Sequence, residues 1–215
     1  TEMQNPNTPS KIVCVGRNYA DHAKELGNAI PDTPIFFIKP PSSLRALDDG
    51  IVMPQGLGEC HFETELCIRI GMPLKNATRE QAVLAIDGVT LGLDLTLRDL
   101  QNTLKANGHP WERAKAFDGA CLLGEWLSPA MVDLAKAEFE LQINGTQRQH
   151  GNSMQMIFDV VGLVAHISQS FSLCVGDVVM TGTPAGVAAL QVGDQLRMRL
   201  HTQLGAVDWQ TEVLG

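Results

Sequence analysis

The chain has 215 residues, 44% hydrophobic and 19% charged, with a formal net charge of −8. That composition can bury one substantial core and excludes a disordered chain. The acidic balance, with no block of Lys or Arg, excludes the electrostatic footprint of a nucleic-acid or anionic-membrane binder, so a small diffusible ligand is the expected partner.

The polar opening TEMQNPNTPS lacks an apolar targeting core, and no apolar run reaches the length of a membrane span. A cytoplasmic protein is therefore expected, with a tail at 1–10 and a single domain over 11–215. Cys14, Cys60, Cys67, Cys121 and Cys174 are scattered and form no C-x-x-C pair. That spacing argues against both a disulfide framework and a structural zinc site.

KIVCVG reads as a short apolar strand, after which RNYADHAKELG takes helical spacing and stops at Gly27. His22 and Glu25 stand three apart on that helix and share a face; they form either a plain polar surface or a carboxylate-oriented base. PIFFIKPP reads as a strand halted by prolines after Lys39. Lys39 and the later Lys115, in ERAKAFDGA, both fit surface lysines whose stems lie along apolar neighbours.

CHFETELCIRIG alternates as a strand does, with Phe62, Thr64, Leu66, Ile68 and Ile70 on one side and His61, Glu63, Glu65, Cys67 and Arg69 on the other. The first side is a core face. Glu63 and Glu65 repel each other's ionisation, which a wet face tolerates and a pocket does not. A hard divalent cation is the simplest compensation in the second case.

QAVLAIDGVTLGLDLT leads through a helical or apolar stretch into a strand, placing Asp94 where strand gives way to helix. Thr96 with Asp99 resembles a capping box, which predicts a helix over LRDLQNTLKANG with Arg98 and Gln101 on one face. Together Glu63, Glu65 and Asp94 would suit Mg²⁺, Mn²⁺ or Ca²⁺, if the two strands meet. Asp94 alone also fits a helix-flanking acid.

FELQINGTQRQ is a hairpin around Asn144-Gly145. MIFDVVGLVAHISQSF has helical spacing, with Ile157, Val161, Val164 and Ile167 on one side. VGDVVMTG and VGDQLRMRL repeat one turn-plus-strand pattern, and TGTPAGV is either an ordinary turn or one that offers N–H and hydroxyl groups to an anion. His61, His109, His150, His166 and His201 have no partner at catalytic spacing and read as structural. Phosphate-loop, dinucleotide and serine-hydrolase signatures do not occur in the sequence. The pattern is mostly β with a few short helices.

Taken in order, VGRNYADHAKELG, FFIKP, HFETELCIRIG, LDLTLRDLQ, WERAKAFDGACLLG, INGTQRQ and GDVVMTGTPAGV resemble the fumarylacetoacetate hydrolase superfamily. The likeness is to its short members that include acylpyruvate hydrolases, oxaloacetate decarboxylases or tautomerases, and homoprotocatechuate-pathway isomerase/decarboxylases. It runs from about residue 11 to the C-terminus. GACLLG after Phe117-Asp118 lacks an expected proline, and Ser42-Ser43 lie in a variable stretch; both departures bear on substrate fit.

The resemblance implies a mixed β-sandwich roll, a homodimer, and a divalent metal, Mg²⁺ first, on Glu63, Glu65 and Asp94. It implies that His22 and Glu25 activate water, that Lys115 assists catalysis, and that Arg17, Lys39, Arg98, Gln101, Gly182 and Thr183 contact substrate. A 2-oxo acid would chelate the metal as an enolate forms. Carbon–carbon hydrolysis of acylpyruvates or decarboxylation of oxaloacetate is the first expectation, and a tautomerase or isomerase of oxaloacetate or a carboxymethyl-hydroxymuconate-type diacid the second. A non-catalytic metal or dicarboxylate binder is the third, against which His22 and Glu25 argue. Loops near 26–34 are expected to read the distal group.

Overall fold

The structure, a computed structural model, describes residues 8–215; residues 1–7 of the expected tail lie outside the described residues. The part of that tail which is described is fastened: the Ser10 N–H and hydroxyl both donate to Asp177 Oδ1, at 2.8 and 2.7 Å.

The apolar run after Ser10 forms β1 (Ile12–Gly16), and Gly27, at φ 67, follows the short helix α1 (Ala20–Glu25). Next come β2 (Ile35–Lys39) and β3 (Leu44–Ala46). The expected single strand at 60–71 is two, β4 (Cys60–His61) and β5 (Thr64–Ile70), because the chain leaves its ladder at Phe62 and Glu63. After α2 (Arg79–Ala85) come β6 (Ile86–Asp94), β7 (Thr96–Leu97), α3 (Arg98–Ala106), α4 (Glu112–Lys115) and β8 (Cys121–Leu123). The hairpin is β9 (Glu138–Ile143) and β10 (Thr146–Asn152), with Asn144 and Gly145 both at positive φ as a primed turn requires. The chain ends with α5 (Val160–Ser170), β11 (Val178–Met180), β12 (Gln195–Thr202) and β13 (Gly205–Glu212).

Two further sequence expectations about these elements fail. The capping box is at Thr78, whose hydroxyl accepts from Gln81 N while Gln81 Oε1 accepts from Thr78 N. Thr96 caps nothing, since its hydroxyl is engaged by Lys115 Nζ at 2.7 Å. Helix α5 begins only at Val160, so Ile157 lies outside it, and the buried face is formed by Val160, Leu163, Val164 and Ile167. The repeated V-G-D turn is real: Asp177 and Asp194 each accept from the backbone N–H three residues earlier, of Cys174 and Gln191.

The main sheet runs β2-β1-β11-β5-β6-β8-β3, beside a four-stranded sheet β10-β9-β12-β13 and the small pair β4-β7. β1 and β11 are parallel, and β11 is antiparallel to β5. One face of the main sheet carries Val13, Leu66, Ile68, Leu91 and Val179 into a large core shared with the four-stranded sheet through Phe139, Leu141, Met198 and Leu200. The other face carries Ile12, Cys14, Cys67, Cys121 and Met180 into a smaller cluster inside a curl of the sheet. β5 is therefore buried on both sides, and its second face is not the wet surface that alternation alone allows. All five cysteines are free, four of them buried. No helix among the described residues is long and apolar enough to cross a membrane.

Candidate metal centre and its cleft

The acidic cluster follows from the register of β5 and β6. Glu65 pairs with Gly92 and Thr64 with Leu93, so Glu65 and Asp94 lie on the same face, and the Asp94 N–H donates to Glu63 O at 2.9 Å just beyond. One ligand atom each of Glu63, Glu65 and Asp94 lies within 4.8 Å of the others, and all three residues are buried. The two strands that sequence could not join do meet.

Three cations serve these acids. Arg98 donates to Glu63 Oε1 at 2.5 Å and to Gln101 Oε1 at 2.8 Å. Lys115 Nζ bridges Glu63 Oε2 at 3.1 Å and Asp94 Oδ2 at 2.9 Å. Lys39 Nζ lies 2.7 Å from Asp94 Oδ1. The ammonium of Lys39 also donates to the carbonyls of Leu95, Ala120 and Lys115. Both lysines contradict the surface-lysine reading, being 0% and 3% exposed. Lys39, expected to contact substrate, is not among the residues bordering the cleft, and its ammonium is engaged by Asp94 and by backbone carbonyls. It gets there because the sheet curls: β2 is separated from β6 by β1, β11 and β5 in hydrogen-bonded order, yet Lys39 reaches across to it.

Glu65 has no ion-pair partner among the described residues; its Oε2 accepts only the Gly182 N–H, at 2.8 Å. Burial, then Asp94 and Glu63, push its carboxyl well up. Glu63 goes the other way: burial alone would raise it, but Lys115 and Arg98 hold it well below the usual carboxylate range. For Lys115, burial would lower the ammonium, and Asp94 and Glu63 more than reverse that. A buried carboxylate without a cation, and an Asp94 Oδ1 without a well-directed hydrogen bond, are what a divalent ion would satisfy. The all-oxygen donor set fits a hard cation such as Mg²⁺, Mn²⁺ or Ca²⁺.

The TGTPAGV turn acts on these ligands and on the strand that carries them. The Gly182 N–H is committed to Glu65, and the Thr183 hydroxyl donates to Thr64 O at 2.8 Å, although Thr183 does border the cleft. Gln149, which sequence reading passed over, ties the pieces together. Its Oε1 accepts from Thr64 N at 3.0 Å, and its Nε2 donates to Thr183 Oγ1 and Pro184 O at 2.8 and 2.9 Å. It sits past an irregularity in β10, in a run of polar residues that offers no local signal.

A cleft opens over Glu63, bordered by Arg17, His22, Leu26, Asn28, Phe37, Arg98, Gln101, Lys105, Trp111 and Lys115. His22 Nδ1 lies 3.3 Å from Glu25 Oε2, and the Glu25 carboxylate accepts the Gly186 N–H at 3.0 and 3.2 Å. Because an ionised carboxylate can only accept, this contact assigns the Nδ1 proton to the bond with Glu25. His61, read as structural, is 3.4 Å from Arg98 Nε and 3.1 Å from Glu59, so it helps to seat the guanidinium. Arg69 lies farther along the same face of β5, pairing with Asp87 at 2.7 Å and lying over Trp126.

Residues 11–211 match the family model described as fumarylacetoacetate (FAA) hydrolase C-terminal. The chain is 47% identical over 189 residues to the oxaloacetate tautomerase YcgM of Escherichia coli (strain K12), covering 87% of this chain and 86% of that protein. It is 42% identical to the mitochondrial oxaloacetate tautomerase fahd-1 of Caenorhabditis elegans, covering 93% and 94%. Among solved structures, the fumarylpyruvate hydrolase from Pseudomonas aeruginosa in complex with Mn²⁺ and pyruvate aligns with a TM-score of 0.86 at 32% identity, covering 100% of this chain and 99% of that one.

Proposed function

The chain belongs to the fumarylacetoacetate hydrolase family, and on that premise we propose that it is a divalent-metal-dependent enzyme that interconverts keto and enol forms of a small 2-oxo acid, oxaloacetate first. Sequence reading put carbon–carbon hydrolysis or decarboxylation ahead; two relatives named as oxaloacetate tautomerases support the reverse order. The observation that carries an enzyme, as opposed to a passive binder, is the His22–Glu25 pair at 3.3 Å on the rim of a cleft floored by Glu63.

Glu63, Glu65 and Asp94 would hold the ion. When bound, it supplies Lewis-acid stabilisation of the negative charge that develops on a keto oxygen. Arg98, aligned by Gln101, Glu63 and His61, offers a guanidinium fork to a substrate carboxylate. With Glu25 accepting from Nδ1–H, His22 Nε2 takes a proton from the carbon beside the keto group. Lys115 Nζ, kept protonated by Asp94 and Glu63, donates on the oxygen side.

Carbon–carbon hydrolysis is the second reading, supported by the fumarylpyruvate hydrolase likeness. There His22 would take its proton from a water attacking the distal carbonyl. A panel of oxaloacetate, acylpyruvates and ring-opened aromatic diacids, assayed with Mg²⁺ and after chelation, separates the two readings. Replacing His22 with Ala is expected to lower kcat by about 10²- to 10⁴-fold while Mg²⁺ affinity stays. Turnover that survives either chelation or His22→Ala overturns this function.

A further inference from the structure

We propose that Lys105, seated against Trp111 and held by Asn28, selects 2-oxo acids that carry a second carboxylate, with Arg17 as the companion cation. This rests on the cleft being the substrate site, and it assigns the end of that site which the metal and His22 do not touch.

Arg17, Arg98, Lys105 and Lys115 all border the cleft, whereas among the described residues the only carboxylate on its wall is Glu63. Glu63 is already paired with Arg98 and Lys115. Among the described residues, neither Arg17 nor Lys105 belongs to any ion pair. The half-buried Lys105 Nζ donates to Asn28 Oδ1 at 3.1 Å and lies 6.0 Å from the Trp111 ring centroid. Burial lowers the Lys105 ammonium, and Arg17, Arg98 and Lys115 lower it further, with no acid opposing them. The fold thus orients a cation in a place that disfavours it, which a ligand carboxylate would relieve.

Spacing supports the same reading. Lys105 is seven residues after Arg98 on α3, so the two lie on nearly the same face, about 10 Å apart along the helix axis. A substrate whose first carboxylate meets Arg98 would extend its distal end towards Lys105. Arg17 reaches the same region from the end of β1 in a left-handed backbone conformation, φ 57, which is unfavourable for an arginine. Leu26 and Asn28 come from the 26–34 segment, so the loop expected to read the distal group does border the cleft and positions Lys105.

The test compares ligands that differ only in the distal group: 2-oxoglutarate against 2-oxopentanoate, and oxaloacetate against 2-oxobutanoate. Each is titrated with Mg²⁺ present and followed by tryptophan fluorescence. The native protein is expected to prefer the diacid in at least one pair; Lys105→Met reduces that preference by roughly tenfold or more, and Lys105→Arg retains it. In turnover, Lys105→Met raises KM for the diacid far more than it lowers kcat. A native protein with no preference in either pair, or a preference that Lys105→Met leaves intact, overturns the proposal. Diacid preference without turnover of any 2-oxo acid would instead overturn the enzymatic reading and leave the subsite standing.

Discussion

A buried charge is the residue-scale feature hardest to see in a sequence. Glu63 and Glu65 stood out because strand alternation puts them on one face, and Asp94 because a strand ended there. Lys39 did not, since FFIKPP describes a strand halted by prolines equally well whether its lysine meets water or Asp94. Only the curl of the sheet decides, by bringing Lys39 Nζ within 2.7 Å of Asp94 Oδ1. Gln149 is the same case: its three hydrogen bonds all reach residues more than thirty positions away. Removing one member of a buried ion pair leaves the other uncompensated, at a cost of about 3–5 kcal/mol. Lys39→Met is therefore expected to lower the urea midpoint strongly without metal and less with saturating Mg²⁺, which would replace the lost charge at Asp94. A deficit of equal size in both conditions would show that Asp94 is not a ligand.

At the scale of elements, local turn chemistry was readable and local capping was not. Asn144-Gly145 made the hairpin because both positions need positive φ, and the two V-G-D turns recur because each aspartate accepts the backbone N–H three residues before it. Thr96 and Thr78 show how a cap can mislead. Both precede a helix, but Thr96 lies beside the buried ammonium of Lys115, a stronger claim on its hydroxyl than a helix N-terminus. Thr78 is free to complete the reciprocal box with Gln81. The two residues should accordingly separate stability from chemistry. Thr78→Ala is expected to cost about 1 kcal/mol in denaturation with kcat unchanged. Thr96→Val removes one of the acceptors that fix Lys115 and is expected to lower kcat well beyond its effect on stability. Equal kcat in the two variants would mean that the Lys115 contact has no part in turnover.

The whole molecule explains why the ligands come from one strand pair and the residue just before it, while their supports come from everywhere else. β11, near the end of the chain, inserts between β1 and β5, so the turn after it reaches Glu65 and the helix after β1 reaches the cleft. No local pattern encodes that insertion, which is why β1, β2, β5, β6 and the β9–β10 hairpin were legible and the strand order was not. The assembled centre also makes stability depend on pH in two windows. Glu63 has a folded-state carboxyl held down by Lys115 and Arg98, so its contribution is present above its unfolded value, about 4.3, and is lost as pH falls further. Glu65 has the opposite sign. Its carboxyl is raised, by burial first and then by Asp94 and Glu63, so the metal-free folded state binds more protons than the unfolded chain, and stability falls as pH rises from the unfolded value through the raised one. A divalent ion at Glu65 must displace that proton, so binding should release it and remove the penalty. The rise in Tm caused by Mg²⁺ is therefore expected to increase from mildly acidic towards neutral pH, read from thermal melts with and without the ion. Glu65→Gln should abolish that increase, and an increment that is flat with pH in the native protein would place the ion elsewhere.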